Sequence, residues 1–235
     1  ALIESLLETL GLQGFRPEIV DCAGDAAAVE RAVRAVRSGE AQMLMKGLVS
    51  TGTFLKGVLN KEFGLRQRAL LSHVALFEAQ DPQRLVLLTD VAMNIAPDLP
   101  QKAQILENAV WLAHALGIER PKVAAIAAVE TVNPEMPATV DAAALAKMAD
   151  RRQIKGCVVD GPLALDNALS VEAARHKGID SLVAGVADVL LLPDIEAGNV
   201  LYKTIGLTKV WPMAAVVVGA SAPVVLTSRA DSDDT

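Results

Sequence analysis

The sequence predicts an α/β protein, and three observations predict it. Short apolar runs alternate with longer segments of helical period almost throughout, 52% of the 235 residues are hydrophobic, and only 3% are aromatic. The alternation is that of strands joined by crossover helices. A chain of this length and apolar content can bury a substantial core. With so few rings, Ala, Val, Leu and Ile must fill it, which suits helices laid on parallel strands better than an aromatic-rich sandwich.

In chain order, the apolar runs place strands at 18–20, 43–45, 69–77, 85–89, 122–128, 156–159, 189–192, 214–218 and 224–226. Helical period places helices at 26–38, 50–60, 99–116, 138–151, 170–177 and 198–207. Ser50 or Thr51 can cap the second of these helices, and Asp98 with Pro100 suits the start of the third. The stretch 70–88 reads as two adjacent strands around a turn at 79–82, a hairpin among crossovers, so the sheet is expected to be mixed. No period of 20 to 50 residues repeats and no low-complexity linker divides the chain. Ala1 falls inside an apparent helix and Thr235 ends a polar run, so both ends read as trimmed.

The formal net charge is −6, and no basic cluster has the density of a nucleic-acid or anionic-membrane surface. A small anion needs only two or three local cations, so the acidic total leaves room for a phosphate site. Cys22 and Cys157 lie far apart, form no CxxC pair and have no His at ligand spacing, which reads as two reduced structural thiols in a cytoplasmic protein with no bound metal. No apolar run reaches the roughly 18 residues of a membrane span, and no secretory leader is read.

Five segments carry residues suited to chemistry. In MKGLVSTGTFLKGVL, 45–59, an apolar strand runs into Lys46 and Gly47, then into Ser50, Thr51 and a helix. Free N–H groups at that helix start and the Lys46 charge would cradle a phosphate, although an ordinary capped helix with a surface lysine uses the same residues. It is not a Walker A loop. In LLTDVAMNIAPDLPQKAQIL, Thr89, Asp90 and Asn94 close a strand, the end at which open α/β sheets bind ligands. In VVDGPLALDNALS, Asp160 follows a strand and precedes a turn fixed by Pro162, where it either orients a substrate or caps the turn. LLPDIEAGNVLYK is a helix start bearing Tyr202 and Lys203. In VVLTSRADSDD, a strand delivers Ser228 and Arg229, then Asp233 and Asp234: a fork for phosphate oxygens, a hydroxyl to hold a thiol, and a candidate general base, although a capped helix with a solvated acidic first turn uses the same residues. His73, His114 and His176 share no metal spacing, and His73, within an apolar strand, is kept as a cleft residue.

Taken together with NPEMPATVDAAALAKMADR and IKGCVVDGPLALDNALS, these ordered blocks resemble the phosphate acetyl/butyryltransferase family, and its butyryltransferase branch in particular, over nearly the whole chain. The resemblance implies two α/β/α domains of the isocitrate and isopropylmalate dehydrogenase type with mixed, mostly parallel sheets and a cleft between them. It divides the chain into a discontinuous first domain, 1–68 plus 220–235, and a second, dimer-forming domain, 69–219. It implies a reaction, acyl-CoA plus phosphate giving acyl phosphate plus CoA for butyryl or similar groups, with no tightly bound cofactor or metal. It assigns thiol and phosphate contacts to Ser228 and Arg229, the base to Asp234 or Asp233, and phosphate-loop roles to Ser50, Thr51 and Lys46. The acetyltransferase branch carries a second phosphate-binding arginine after its NxxYK block, and 204–209 has none, which leaves Lys203 or Lys209 in that role. Family members extend further at both ends. The rival readings are a phosphate acetyltransferase, a non-catalytic acyl-CoA or phosphate-binding relative, and a dehydrogenase of the same fold, for which neither nicotinamide recognition nor a metal-binding aspartate cluster is found.

Overall fold

The computed structural model describes residues 2–12, 14–80, 83–208 and 212–226. The helices are α1 (Leu2–Thr9), α2 (Asp25–Arg37), α3 (Thr51–Val58), α4 (Leu99–Ala115), α5 (Pro137–Asp150), α6 (Leu165–Leu169), α7 (Val171–His176) and α8 (Ile195–Thr208). The strands are β1 (Leu44–Met45), β2 (Ser72–Gln80), β3 (Gln83–Thr89), β4 (Lys122–Ile126), β5 (Val158–Leu163), β6 (Val189–Leu191), β7 (Met213–Val218) and β8 (Val224–Val225). They form one mixed sheet in the order β1-β8-β7-β2-β3-β6-β4-β5.

The strands β3, β6, β4 and β5 run parallel, as crossover helices require. Residues 72–89 fold as the expected hairpin, with β2 antiparallel to β3 from Val74 opposite Thr89 to Gln80 opposite Gln83. On its other side β2 pairs antiparallel with β7, and β7 leads to β8, which runs parallel to β1. Strand alternation sends Val74, Leu87, Val123 and Val189 to one face, under α4 and α5. It sends Ala75, Leu88, Ala124 and Leu190 to the other, under α6 and α8. A third cluster covers β1, β8 and the end of β7 with Val29, Val33 and Val36 of α2 and Phe54 and Val58 of α3. The spacing of those three valines lays one face of α2 on that cluster. A Cβ on Gly57 would come within 2.3 Å of Val29 Cγ1, so α2 and α3 meet at a point where only glycine fits.

Two expectations change. The strand placed at 18–20 is absent: Ile19 and Val20 are exposed and have no partner ladder, and an apolar run without a neighbour to hydrogen-bond is not a strand. The strand placed at 156–159 instead runs Val158–Leu163, straight through Asp160, Gly161 and Pro162. It survives proline because β5 is an edge strand and its pairing with β4 shifts register between Ala124 and Ile126. Among the described residues, no helix is long and apolar enough to cross a membrane.

The helix α4 opens on a capping box: Asp98 accepts from Gln101 N at 2.9 Å and the Gln101 side chain accepts from Asp98 N at 2.9 Å. One turn on, Lys102 is 7% exposed and donates to Asp141 of α5 at 2.6 Å, beside a small opening at the ends of β4 and β6. Removing one partner of a buried ion pair costs roughly 3–5 kcal/mol. Asp141 keeps some solvent, so Lys102→Met is expected near the lower end, about 3 kcal/mol by urea unfolding, and Lys102→Met with Asp141→Leu should recover most of it.

Candidate active site

The two shortest strands bring Lys46 and the start of α3 to one end of the molecule. Leu44 N donates to Pro223 O at 3.0 Å and Lys46 N donates to Val225 O at 3.0 Å, which sets β1 and β8 side by side with their carboxyl ends level. Alternation then turns Leu44 and Lys46 to the buried face and leaves Met45 outside. Lys46 is only 5% exposed, and its ammonium donates to Gly47 O at 2.9 Å and Val49 O at 3.3 Å. The loop therefore wraps its own cation and leads straight into α3.

Ser50 caps that helix, accepting from Thr53 N at 3.2 Å and donating to Thr53 Oγ1 at 2.9 Å. Thr51 is exposed on the first turn. A buried-stem lysine, two hydroxyls and the N–H groups of a helix start thus meet within six residues, an arrangement that attracts small anions. Ser228, Arg229, Asp233, Asp234 and Lys209 lie outside the described residues. The chain enters 227–235 from Leu226, the residue after the one that accepts from Lys46 N.

The turn after β3 carries the second group. Asp90 is 3% exposed, and its carboxylate accepts from Ala92 N at 2.9 Å, Met93 N at 3.0 Å and the Asn94 amide. Asn94 also donates to Leu71 O at 3.0 Å, and Asn199 of α8 donates to Val91 O at 3.0 Å. Both predicted ligand residues are therefore engaged in holding the turn to the start of β2, while α8 holds it from the other side. His73 of β2 is 2% exposed and meets the Tyr202 ring edge-on at a centroid distance of 6.2 Å. His73 is paired with Val217, Val217 with Val224 and Val224 with Leu44, so one row across the sheet joins this histidine to the strand that presents Lys46. Lys203 stands exposed on α8 next to Tyr202.

Asp160 is elsewhere. It accepts from Gly161 N at 2.8 Å on β5, and β5 and β1 are opposite edges of the sheet. Seven strand spacings of about 4.8 Å put it on the order of 30 Å from Lys46. One chain does not bring the two together. Sequence reading missed the His73–Tyr202 contact, which no local pattern encodes. It also missed the Lys102–Asp141 pair, whose signal was a charge among Ile105, Leu106 and Ala109 on the buried side of α4. Burial, with Glu107 adding to it, pushes the Cys157 thiol up to about 11, so this cysteine is a neutral packing residue at pH 7.

The fold and this site define an α/β protein with a lysine and a capped helix start at the carboxyl end of paired strands. The chain belongs to the family described as Phosphate acetyl/butaryl transferase, whose model matches residues 1–235. It is 56% identical over 233 residues to a phosphate butyryltransferase of Clostridium acetobutylicum, covering 99% of this chain and 77% of that one. It is 57% identical over 233 residues to a phosphate butyryltransferase of Clostridium beijerinckii, with the same coverage. The crystal structure of a branched-chain phosphotransacylase from Enterococcus faecalis V583 superposes with a TM-score of 0.87 at 37% identity, covering 99% of this chain and 90% of that one.

The contact between α8 and the Asp90 turn yields a prediction of sign. Gly→Ala inside a helix ordinarily stabilises by about 1 kcal/mol. A Cβ on Gly198 would stand 2.2 Å from Asp90 O, so Gly198→Ala must push α8 off the turn. The expected result is a loss of roughly 1–3 kcal/mol in urea unfolding, the reverse of the ordinary effect.

Proposed function

We propose that this chain is an acyltransferase that interconverts a short-chain acyl-CoA, butyryl-CoA or similar, plus phosphate with acyl phosphate plus CoA. Near-complete coverage by butyryltransferases at 56–57% identity supports the reaction. The observation that carries the site is the pairing of β1 with β8, which sets the Lys46 cradle at the point where the chain enters Ser228 and Arg229.

In this reading phosphate is held by Lys46, by the α3 start with Ser50 and Thr51, and by Arg229, with Lys203 or Lys209 as a further cation. Cations around the dianion offset the negative charge that builds on the thioester oxygen during attack and fix one phosphate oxygen toward the acyl carbon. That oxygen forms the new C–O bond, the C–S bond breaks, and the electron pair leaves on the CoA sulfur, which takes the proton given up by the hydrogen phosphate through Asp234 or Asp233. In reverse, Asp234 or Asp233 removes the thiol proton while Ser228 positions the sulfur, and the thiolate displaces phosphate from the acyl carbon. Asp90 and Asn94 serve through the turn they fix. Asp160 has no part in the single-chain arrangement. The remaining proposals are a first domain of 1–68 with 220–235, a second of 69–219 that joins two copies, and a cytoplasmic enzyme using CoA and phosphate as substrates without a tightly bound cofactor. The third core, built mainly from α2, α3, β1 and β8, supports that division, and two free cysteines suit a reducing compartment.

The test is phosphate-dependent release of free thiol from butyryl-CoA. Arg229→Ala is expected to cost roughly 100-fold in kcat/KM for phosphate, the scale of one lost anion donor. Asp234→Asn should depress kcat by about 100-fold with little change in KM, and a loss confined to Asp233→Asn would move the base by one residue. CoA binding without thiol release in the natural enzyme would instead mark a non-catalytic relative.

A further inference from the structure

The loop that wraps Lys46 also presents the most exposed large hydrophobic residue among those described, Leu48, at 87%. Its neighbours are turned inward: the carbonyls of Gly47 and Val49 both accept from the Lys46 ammonium, and the Val49 side chain packs on the α2/α3 core. Leu48, between them, is left on the outer side of a loop whose backbone its own cation holds in shape. It is thus two residues from Lys46 and two from Ser50, the groups that prepare the anion site. Met43 and Met45, although also exposed, alternate with the buried Leu44 and Lys46 and so belong to the other face of β1.

An isolated exposed leucine needs no explanation. A leucine fixed at the lip of an anion site fits a ligand that is charged at one end and apolar at the other. Inorganic phosphate would gain nothing from it, whereas an acyl phosphate, or an acyl thioester under attack by phosphate, places its alkyl chain within a few ångströms of the phosphate oxygens. We propose that Leu48 forms one wall of the acyl subsite and sets the acyl chain length the enzyme accepts. The inference rests on the acyl-transfer reading above. In it, substrate binding covers the leucine and the alkyl chain together and removes water from the side of the reacting carbon.

The test uses the natural enzyme with acetyl-CoA, butyryl-CoA and hexanoyl-CoA, following phosphate-dependent thiol release, together with Leu48→Ala, Leu48→Phe and the conservative Leu48→Met. Since a pocket discriminates by roughly 10-fold or more per methylene, Leu48→Ala should raise the hexanoyl-to-butyryl ratio of kcat/KM by about 5-fold or more. Leu48→Phe should lower the butyryl-to-acetyl ratio by a similar factor, Leu48→Met should stay near the parent, and the KM for phosphate should move by less than about 2-fold in all three. Ratios unchanged within about 2-fold in both the Ala and Phe variants overturn the assignment. A fall in thermal midpoint with unchanged ratios overturns it too, and shows that Leu48 packs against another part of the polypeptide. No thiol release from any substrate by the parent enzyme removes the acyl-transfer reading itself and this inference with it, a result distinct from unchanged ratios in an active enzyme.

Discussion

Two backbone hydrogen bonds, Leu44 N to Pro223 O and Lys46 N to Val225 O, join parts of the chain separated by about three quarters of its length. The rest of the proposed site depends on them. Closing so long a loop costs only a few kcal/mol more than closing a short one, because the entropy grows with the logarithm of length. Two bonds at a net ~1 kcal/mol each do not meet that cost. The stabilisation comes from the apolar cluster the pairing completes: Leu44, Val224 and Leu226 from the two strands, Val29 and Val33 from α2, Phe54 and Val58 from α3. The cation loop is therefore positioned by hydrophobic burial beneath it, and hydrogen bonding chooses only the register.

The fate of the polar residues at strand ends follows from a related constraint. A strand that stops inside a layered fold leaves N–H groups that need acceptors, and the nearest side chain usually supplies them. Asp90 does so for Ala92 and Met93, and Asn94 returns to Leu71 O. Such residues look like ligand groups in a sequence because both roles favour Asp and Asn after an apolar run. Lys46 differs in kind. Its side chain is buried and its ammonium donates to Gly47 O and Val49 O, so the loop that leads into α3 closes on the lysine that starts it.

The elements were legible because each depends on local pattern. The crossover helices, the hairpin at 72–89 and the cap at Ser50 follow from periodicity and turn chemistry within a few residues. The order of strands was not legible. Nothing near Val224 indicates that it pairs with Leu44, and nothing near Asp160 indicates that it ends at the edge of the sheet opposite Lys46. The failures at 18–20 and at β5 have the same origin, since a strand exists only where a partner offers a ladder. The first stretch had none, and the second had β4 beside it through Leu163.

The family resemblance supplied what local pattern could not, the expectation that 45–59 and 224–235 act together, and the β1–β8 pairing brings the two segments side by side as far as Leu226. The same pairing explains how a chain of net charge −6 can hold a dianion. Within a Debye length of about 10 Å the local cations count and the distant carboxylates are screened. Glu40, the acid preceding β1, is engaged by Arg31, and Ser50, Thr51 and Gly52 at the α3 start bring no negative charge. In the proposed site Lys46 and the helix start act with Arg229 beside the carboxylate of Asp234 or Asp233, and the acidic total of the chain acts only at a distance.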